Sequence, residues 1–132
     1  MQALMQAEAT ALNGVRVFIV EDESLVAMQL EDMLLDMGCA IAGMAMRVSK
    51  AQEMLGGELS FDVAILDVNI GGEKVYPVAE LLKGRNVGIV FATGYGRSGV
   101  PEEWQFCSVL QKPYTEAQVE AVLREALQAR RA

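Results

Sequence analysis

Five short apolar runs are spaced along the chain, and the stretches between them repeat their apolar residues at helical spacing. Val15 to Val20 is the first run, and it reads straight into Glu21-Asp22-Glu23. A helix is predicted over Leu25 to Met37, with Ser24 as its N-cap and Gly38 at its end. Val26, Leu30, Met33, Leu34 and Met37 form its apolar face. Cys39 to Met44 is a second, weaker strand, and Ser49 is placed to cap a short helix from Lys50 to Leu55. Phe61 to Asp67 is a run of the kind that is buried on both faces of a parallel sheet. A loop over Val68 to Glu73 precedes a helix from Val75 to Lys83, with Pro77 in its first turn. Val87 to Ala92 and Phe106 to Leu110 are the last two strands. Thr115 caps a final helix whose inner face includes Val119, Val122, Leu123 and Ala126.

Strands alternating with helices imply right-handed βαβ units and a parallel sheet covered on both sides. The expected architecture is a flavodoxin-like three-layer α/β/α sandwich, with five parallel strands in the order 2-1-3-4-5. The interval Gly94 to Gln105 is glycine-rich and polar, so the fourth helix is expected to be shortened or disordered. Residues 14–132 then form a single domain. Residues 1–13 form an N-terminal extension, read as a frayed helical segment or a partner-binding one.

Charge and composition narrow the function. Eleven basic against eighteen acidic residues give a net charge of −7, a surface that repels phosphate backbones and speaks against nucleic-acid binding. No apolar stretch approaches the roughly 20 residues that a membrane span needs, and Met1 to Gly14 lacks the basic start of a signal peptide. Cys39 and Cys107 lie in apolar sequence and match no metal spacing; they read as buried free thiols of a cytoplasmic protein. The chain has no histidine, which removes Ser-His and Cys-His couples, histidine metal ligands and phosphohistidine. Chemistry must therefore run on carboxylates, lysine and hydroxyls.

Four of the five strands end in such groups: Glu21-Asp22, Asp67, Thr93 and Lys112. In a 2-1-3-4-5 sheet these ends form one row along one edge. Three carboxylates that close repel one another unless a divalent cation joins them, and an all-oxygen site suits Mg²⁺ or Mn²⁺. Taken alone, Glu21-Asp22-Glu23 reads better as a solvated acidic helix start, favourable at the positive end of the helix dipole.

Val20-Glu21-Asp22-Glu23, Leu66-Asp67, Ala92-Thr93 and Lys112-Pro113, in that order and each after a strand, resemble the receiver domain of bacterial two-component response regulators. The resemblance covers about residues 14–130. It implies that Asp67 is the phosphoacceptor, fed by a histidine kinase or a phosphotransfer protein. It further implies Mg²⁺ held by Asp22, Asp67, Glu21 through water, and the backbone carbonyl of Asn69. Lys112 and Thr93 would meet phosphoryl oxygens, with a cis Lys112-Pro113 bond aiming the lysine. Self-catalysed phosphorylation and autodephosphorylation, rather than turnover of a substrate, are the chemistry implied.

Two departures from the receiver pattern stand out. The aromatic switch position three before the lysine is Val109. Phe91-Ala92-Thr93-Gly94-Tyr95 resembles the signature of a stand-alone receiver subfamily served by kinases of the HWE or a related class, which makes Tyr95 the candidate replacement switch. Tyr95 either packs on its loop or covers the phosphoryl group; Asn69 is either a plain loop residue or faces the attacking water. Three alternatives stand beside a single-domain regulator that signals by phosphorylation-dependent protein binding. One is a receiver cut from a hybrid histidine kinase. Another is a haloacid-dehalogenase-type phosphohydrolase, which would want a D-x-D motif after strand one. The third is a receiver-like scaffold that is never phosphorylated.

Overall fold

The computed structural model describes residues 12–130; the expectations for residues 1–11 lie outside them. In chain order the elements begin with β1 (Arg16–Val20), α1 (Ser24–Asp36), β2 (Ala40–Ala45), α2 (Val48–Leu55) and β3 (Val63–Asp67). They continue with β4 (Asn69–Ile70), β5 (Glu73–Lys74), α3 (Tyr76–Leu82), β6 (Gly88–Thr93), β7 (Ser108–Gln111) and α4 (Glu116–Ala129). The main sheet has five strands in the order β2-β1-β3-β6-β7, all paired in parallel. This is the expected flavodoxin-like sandwich. Among the described residues no helix is long and apolar enough to cross a membrane.

The sheet divides the core in two. Phe18, Val20, Ala64, Leu66 and Phe91 face α2 and α3, with Leu55, Val78, Leu82 and Trp104. Val17, Ile19, Val63, Ile65 and Val90 face the other way, toward Leu30 and Leu34 of α1 and Val119 and Leu123 of α4. Alternation along strands whose inner positions are apolar toward both faces is why each run reads as continuous in sequence. β3, in the middle, is buried from end to end.

The helix starts differ from expectation. Glu23 and Arg47, not Ser24 and Ser49, are the N-caps of α1 and α2, and neither side chain makes a capping bond. At α1 the Glu23 amide instead donates to the buried Glu21 carboxylate, 3.1 Å away. At α2, burial of Val48 draws the helix start forward. The end of α1 is a Schellman closure, with Cys39 N–H bonding Leu34 O and Gly38 N–H bonding Leu35 O, both at 3.0 Å. Gly38 takes φ +85°, and a Cβ there would stand 2.7 Å from Asn13 Oδ1. α4 opens as expected, with a capping box between Thr115 and Gln118.

Two segments carry the rest of the site's surroundings. The expected loop after β3 contains an antiparallel hairpin, β4 with β5, turned by Gly71 and Gly72 at positive φ. The fourth helix is indeed shortened: after β6 the chain makes only two 3₁₀ turns, Gly96–Gly99 and Glu102–Trp104. Three glycines and Pro101 in this interval deny it a longer helix. Trp104, 2% exposed, pins it to the core.

Candidate active site

The parallel register brings the ends of four strands together. Val20 pairs with Leu66, Asp67 with Ala92, and Thr93 with Gln111. One step further along, Glu21 N–H bonds Ala45 O at 3.0 Å and Lys112 N–H bonds Thr93 O at 2.9 Å. Asp67 and its candidate partners therefore occupy rigid strand ends.

Lys112 is the centre of charge. Its Nζ lies 3.0 Å from Glu21 Oε1 and 3.0 Å from Asp67 Oδ2. Burial alone would lower this ammonium, but the hydrogen bonds and charges of Glu21 and Asp67 outweigh it and hold it above the usual lysine range. Burial pushes Glu21 up to about 7, with the Asp67 charge adding to the rise and the Glu23 amide and Lys112 opposing it. The Lys112-Pro113 bond is cis.

Carboxylate oxygens of Glu21, Asp22 and Asp67 all lie within 4.8 Å of one another. Asp22 accepts the Gly71 amide at 2.8 Å, and so ties the hairpin to the acidic cluster. The Asn69 amide points back to Asp67 Oδ1 at 3.4 Å, while its side-chain oxygen accepts from Lys74 Nζ at 2.7 Å. Three clustered carboxylates, with one ammonium touching only two of them, form an oxygen-rich and under-neutralised donor set. Such a set fits a hard divalent cation.

Thr93 is 3% exposed, and its Oγ1 accepts the Tyr95 amide at 3.2 Å. The Tyr95 ring itself is 74% exposed, so it does not pack on its loop. Val109 is half-buried and packs on the α2–α3 side of the core.

Glu21, Asp22, Asp67, Asn69, Thr93 and Lys112 are thus gathered at one edge, and Tyr95 projects from it. Gly71, Lys74 and Tyr114 were not anticipated. Burial pushes the Tyr114 hydroxyl up to about 12, with the charge of Glu21 adding to the rise. That hydroxyl is buried without a partner among the described residues. Only adjacency to Lys112-Pro113 could have flagged it. Gly71 and Lys74 act through a hairpin whose two-residue strands are too short to show in a hydrophobic pattern.

Known proteins share this frame. SdrG from Sphingomonas melonis Fr1 is 40% identical, with 90% of this chain and 98% of that one covered, at a TM-score of 0.73. A second structure, of the BeF3-activated conformation of SdrG from Pseudomonas melonis Fr1, is 42% identical and covers 85% and 95% of the two chains, at 0.72. The PhyR response regulator REC domain of Erythrobacter litoralis is 30% identical, covering 89% of this chain and 93% of that one, at 0.75. The chain belongs to the response regulator receiver domains. No protein-family model matches it. A curated relative, the phyllosphere-induced regulator PhyR of Methylorubrum extorquens, is 28% identical over 123 residues, 91% of this chain. The receiver spans about half that protein's length, 46%. As a receiver, the chain takes a response-regulator role, and the row Glu21, Asp22, Asp67, Thr93, Lys112 occupies the carboxyl edge where the fold places ligands.

Proposed function

We propose that this receiver accepts a phosphoryl group on Asp67 from a phosphohistidine and signals through phosphorylation-dependent protein binding. The donor is a histidine kinase, of the HWE or a related class, or a phosphotransfer protein. The observation that carries this reading is the pairing at Asp67: a carboxylate buried at the end of the central strand, touched by the Lys112 ammonium at 3.0 Å.

In the transfer, an oxygen lone pair of Asp67 forms the new O–P bond as the donor's N–P bond breaks. The imidazole keeps that electron pair and takes a proton from solvent. A carboxylate is a weak nucleophile, but phosphoryl transfer asks mainly for position and charge neutralisation. β3 fixes the position, and Lys112 offsets charge on the transferred group as a point cation. Thr93 offers its hydroxyl to a phosphoryl oxygen. Glu21, Asp22, Asp67 and the Asn69 carbonyl would hold Mg²⁺ or Mn²⁺, which when bound supplies further neutralisation of the phosphoryl charge. Water attack on the phosphorus of the acyl phosphate releases inorganic phosphate and restores Asp67. The readout through Tyr95 belongs to the same reading, and so does a cytoplasmic setting. The chain's match to about half of PhyR also suits a receiver embedded in a longer protein, with the same chemistry at Asp67.

Incubation with phosphoramidate and Mg²⁺, followed by intact-mass measurement, tests this. One labile phosphoryl increment is expected, absent in Asp67→Asn and after Mg²⁺ chelation. An unmodified wild-type chain would refute it, and an increment that persists in Asp67→Asn would move the site elsewhere.

A further inference from the structure

Gly99 lies directly over Thr93. A Cβ at this position would stand 2.8 Å from Thr93 Oγ1 and 2.9 Å from Tyr95 Cβ. Gly99 is not among the positive-φ residues, so lack of space, not backbone conformation, demands a glycine here. On its other side, the Tyr76 hydroxyl reaches to 3.5 Å from the Gly99 carbonyl oxygen. The next residue, Val100, is 4% exposed and belongs to the same core cluster as Trp104, against which Tyr76 packs.

An aromatic group continues from there. The Tyr76 ring stacks on Trp104, with centroids 6.2 Å apart and an 18° interplanar angle. Phe91, two residues before Thr93, meets both rings edge-on, at 5.5 Å and 5.7 Å. Trp104 also meets Phe106, stacked at 6.0 Å and 68% exposed, and the Lys83 ammonium, 4.6 Å from its ring. Val109, which holds the position where receivers carry an aromatic switch, packs against the same core cluster.

We propose that Gly99 is a positioning residue coupling the Thr93 hydroxyl to the Tyr76–Trp104 stack, so that occupancy of Asp67 is read at Trp104 and Phe106. The inference rests on the phosphoacceptor reading. The Thr93 hydroxyl now fills the gap that the missing Cβ leaves. Turning toward a phosphoryl oxygen on Asp67, it vacates that gap, and the 96–99 turn settles into the space. The turn carries the Gly99 carbonyl with it, and Tyr76 and Trp104 repack. Packed aromatics shift between discrete arrangements rather than deforming smoothly, which gives the readout two states.

Trp104 is the only tryptophan, so its fluorescence reports on this stack. Wild type, Gly99→Ala and Tyr76→Phe are each treated with phosphoramidate and Mg²⁺, and emission is followed beside intact mass. The expected result is a wild-type emission change that tracks the adduct. In Gly99→Ala the methyl keeps the turn raised, so the adduct forms without that change. Tyr76→Phe keeps the stack but loses the hydroxyl at Gly99, and its response is reduced; this variant decides the matter should Gly99→Ala fail to fold. An adduct without a wild-type emission change, or variants that respond like wild type, would overturn the coupling alone. Absence of any adduct would overturn the phosphoacceptor reading, and the coupling with it.

Discussion

Replacing Asp22 by Asn should stabilise the protein in the absence of divalent cations. Asp22 faces Asp67 and, above about pH 7, the ionised Glu21 as like charges, with oxygens within 4.8 Å, and Lys112 bonds both of those neighbours but not Asp22. At 4.8 Å a pair of unit charges repels by about 3.5 kcal/mol at an effective dielectric of about 20. Asp22 is only half-buried and Lys112 offsets part of the field, which brings the expected gain to about 1–2 kcal/mol. Asn keeps an oxygen for the Gly71 amide, so the hairpin contact survives. For a chain of this size the gain is a rise in Tm of roughly 3–8 °C. Thermal melts by circular dichroism at low ionic strength with EDTA would measure it, and moderate salt should shrink it. With Mg²⁺ the order should narrow or reverse, because a cation at about 100-fold its Kd adds about 2.7 kcal/mol to wild type and less to a variant short of one ligand. An Asp22→Asn chain that melts below wild type in EDTA, or that gains as much from Mg²⁺, would refute the cluster as a metal site under repulsion.

Three further outcomes follow from the packing. Gly88→Ala places a methyl 2.9 Å from the Ala126 carbonyl oxygen, which is backbone and cannot yield; urea denaturation should show a loss of about 1–3 kcal/mol, and an unchanged midpoint would contradict the contact. Thr115→Ala breaks the capping box of α4 and should cost about 1 kcal/mol by the same assay, whereas Thr115→Ser should restore most of it. Burial alone would raise Asp62, but the Arg16 amide at 2.8 Å, the Arg16 guanidinium and the Arg130 charge outweigh it and hold the carboxyl below its usual range. A depressed carboxyl contributes stability above its unfolded value and loses it as pH falls through the folded one. The stability difference between wild type and Asp62→Asn should therefore close as pH drops below the ordinary carboxylate range, and a pH-independent difference would argue against the ion pair.

The sheet was legible because strands buried on both faces leave continuous apolar runs, and the Phe61 to Asp67 run marked the central one to within two residues. The site was legible because register turns strand ends into neighbours: a motif after each run is enough to place Asp67 beside Lys112. What escaped was set by contacts between distant residues. The bond from Lys112 to Glu21 spans 91 residues and engages a carboxylate that sequence reasoning assigned to a water-mediated metal contact. The serine caps failed because Glu21 took the Glu23 amide and Val48 was drawn into the core. The role of Gly99 depends on where Thr93 and Tyr76 stand in space, and no local pattern encodes that.

The division of the core by the sheet has a consequence for traffic at the surface. α1, whose Leu25, Met28 and Leu35 are exposed, belongs to one layer, whereas Trp104 and Val100 beside the 3₁₀ turns lie with the other. Five strands, hydrogen-bonded edge to edge, stand between them as a partition packed on both faces, with Asp67 and its neighbours at the rim. Proteins approaching from the two sides would meet separate surfaces. On the phosphoacceptor reading, such a division would let a small module be loaded from one flank and read from the opposite one.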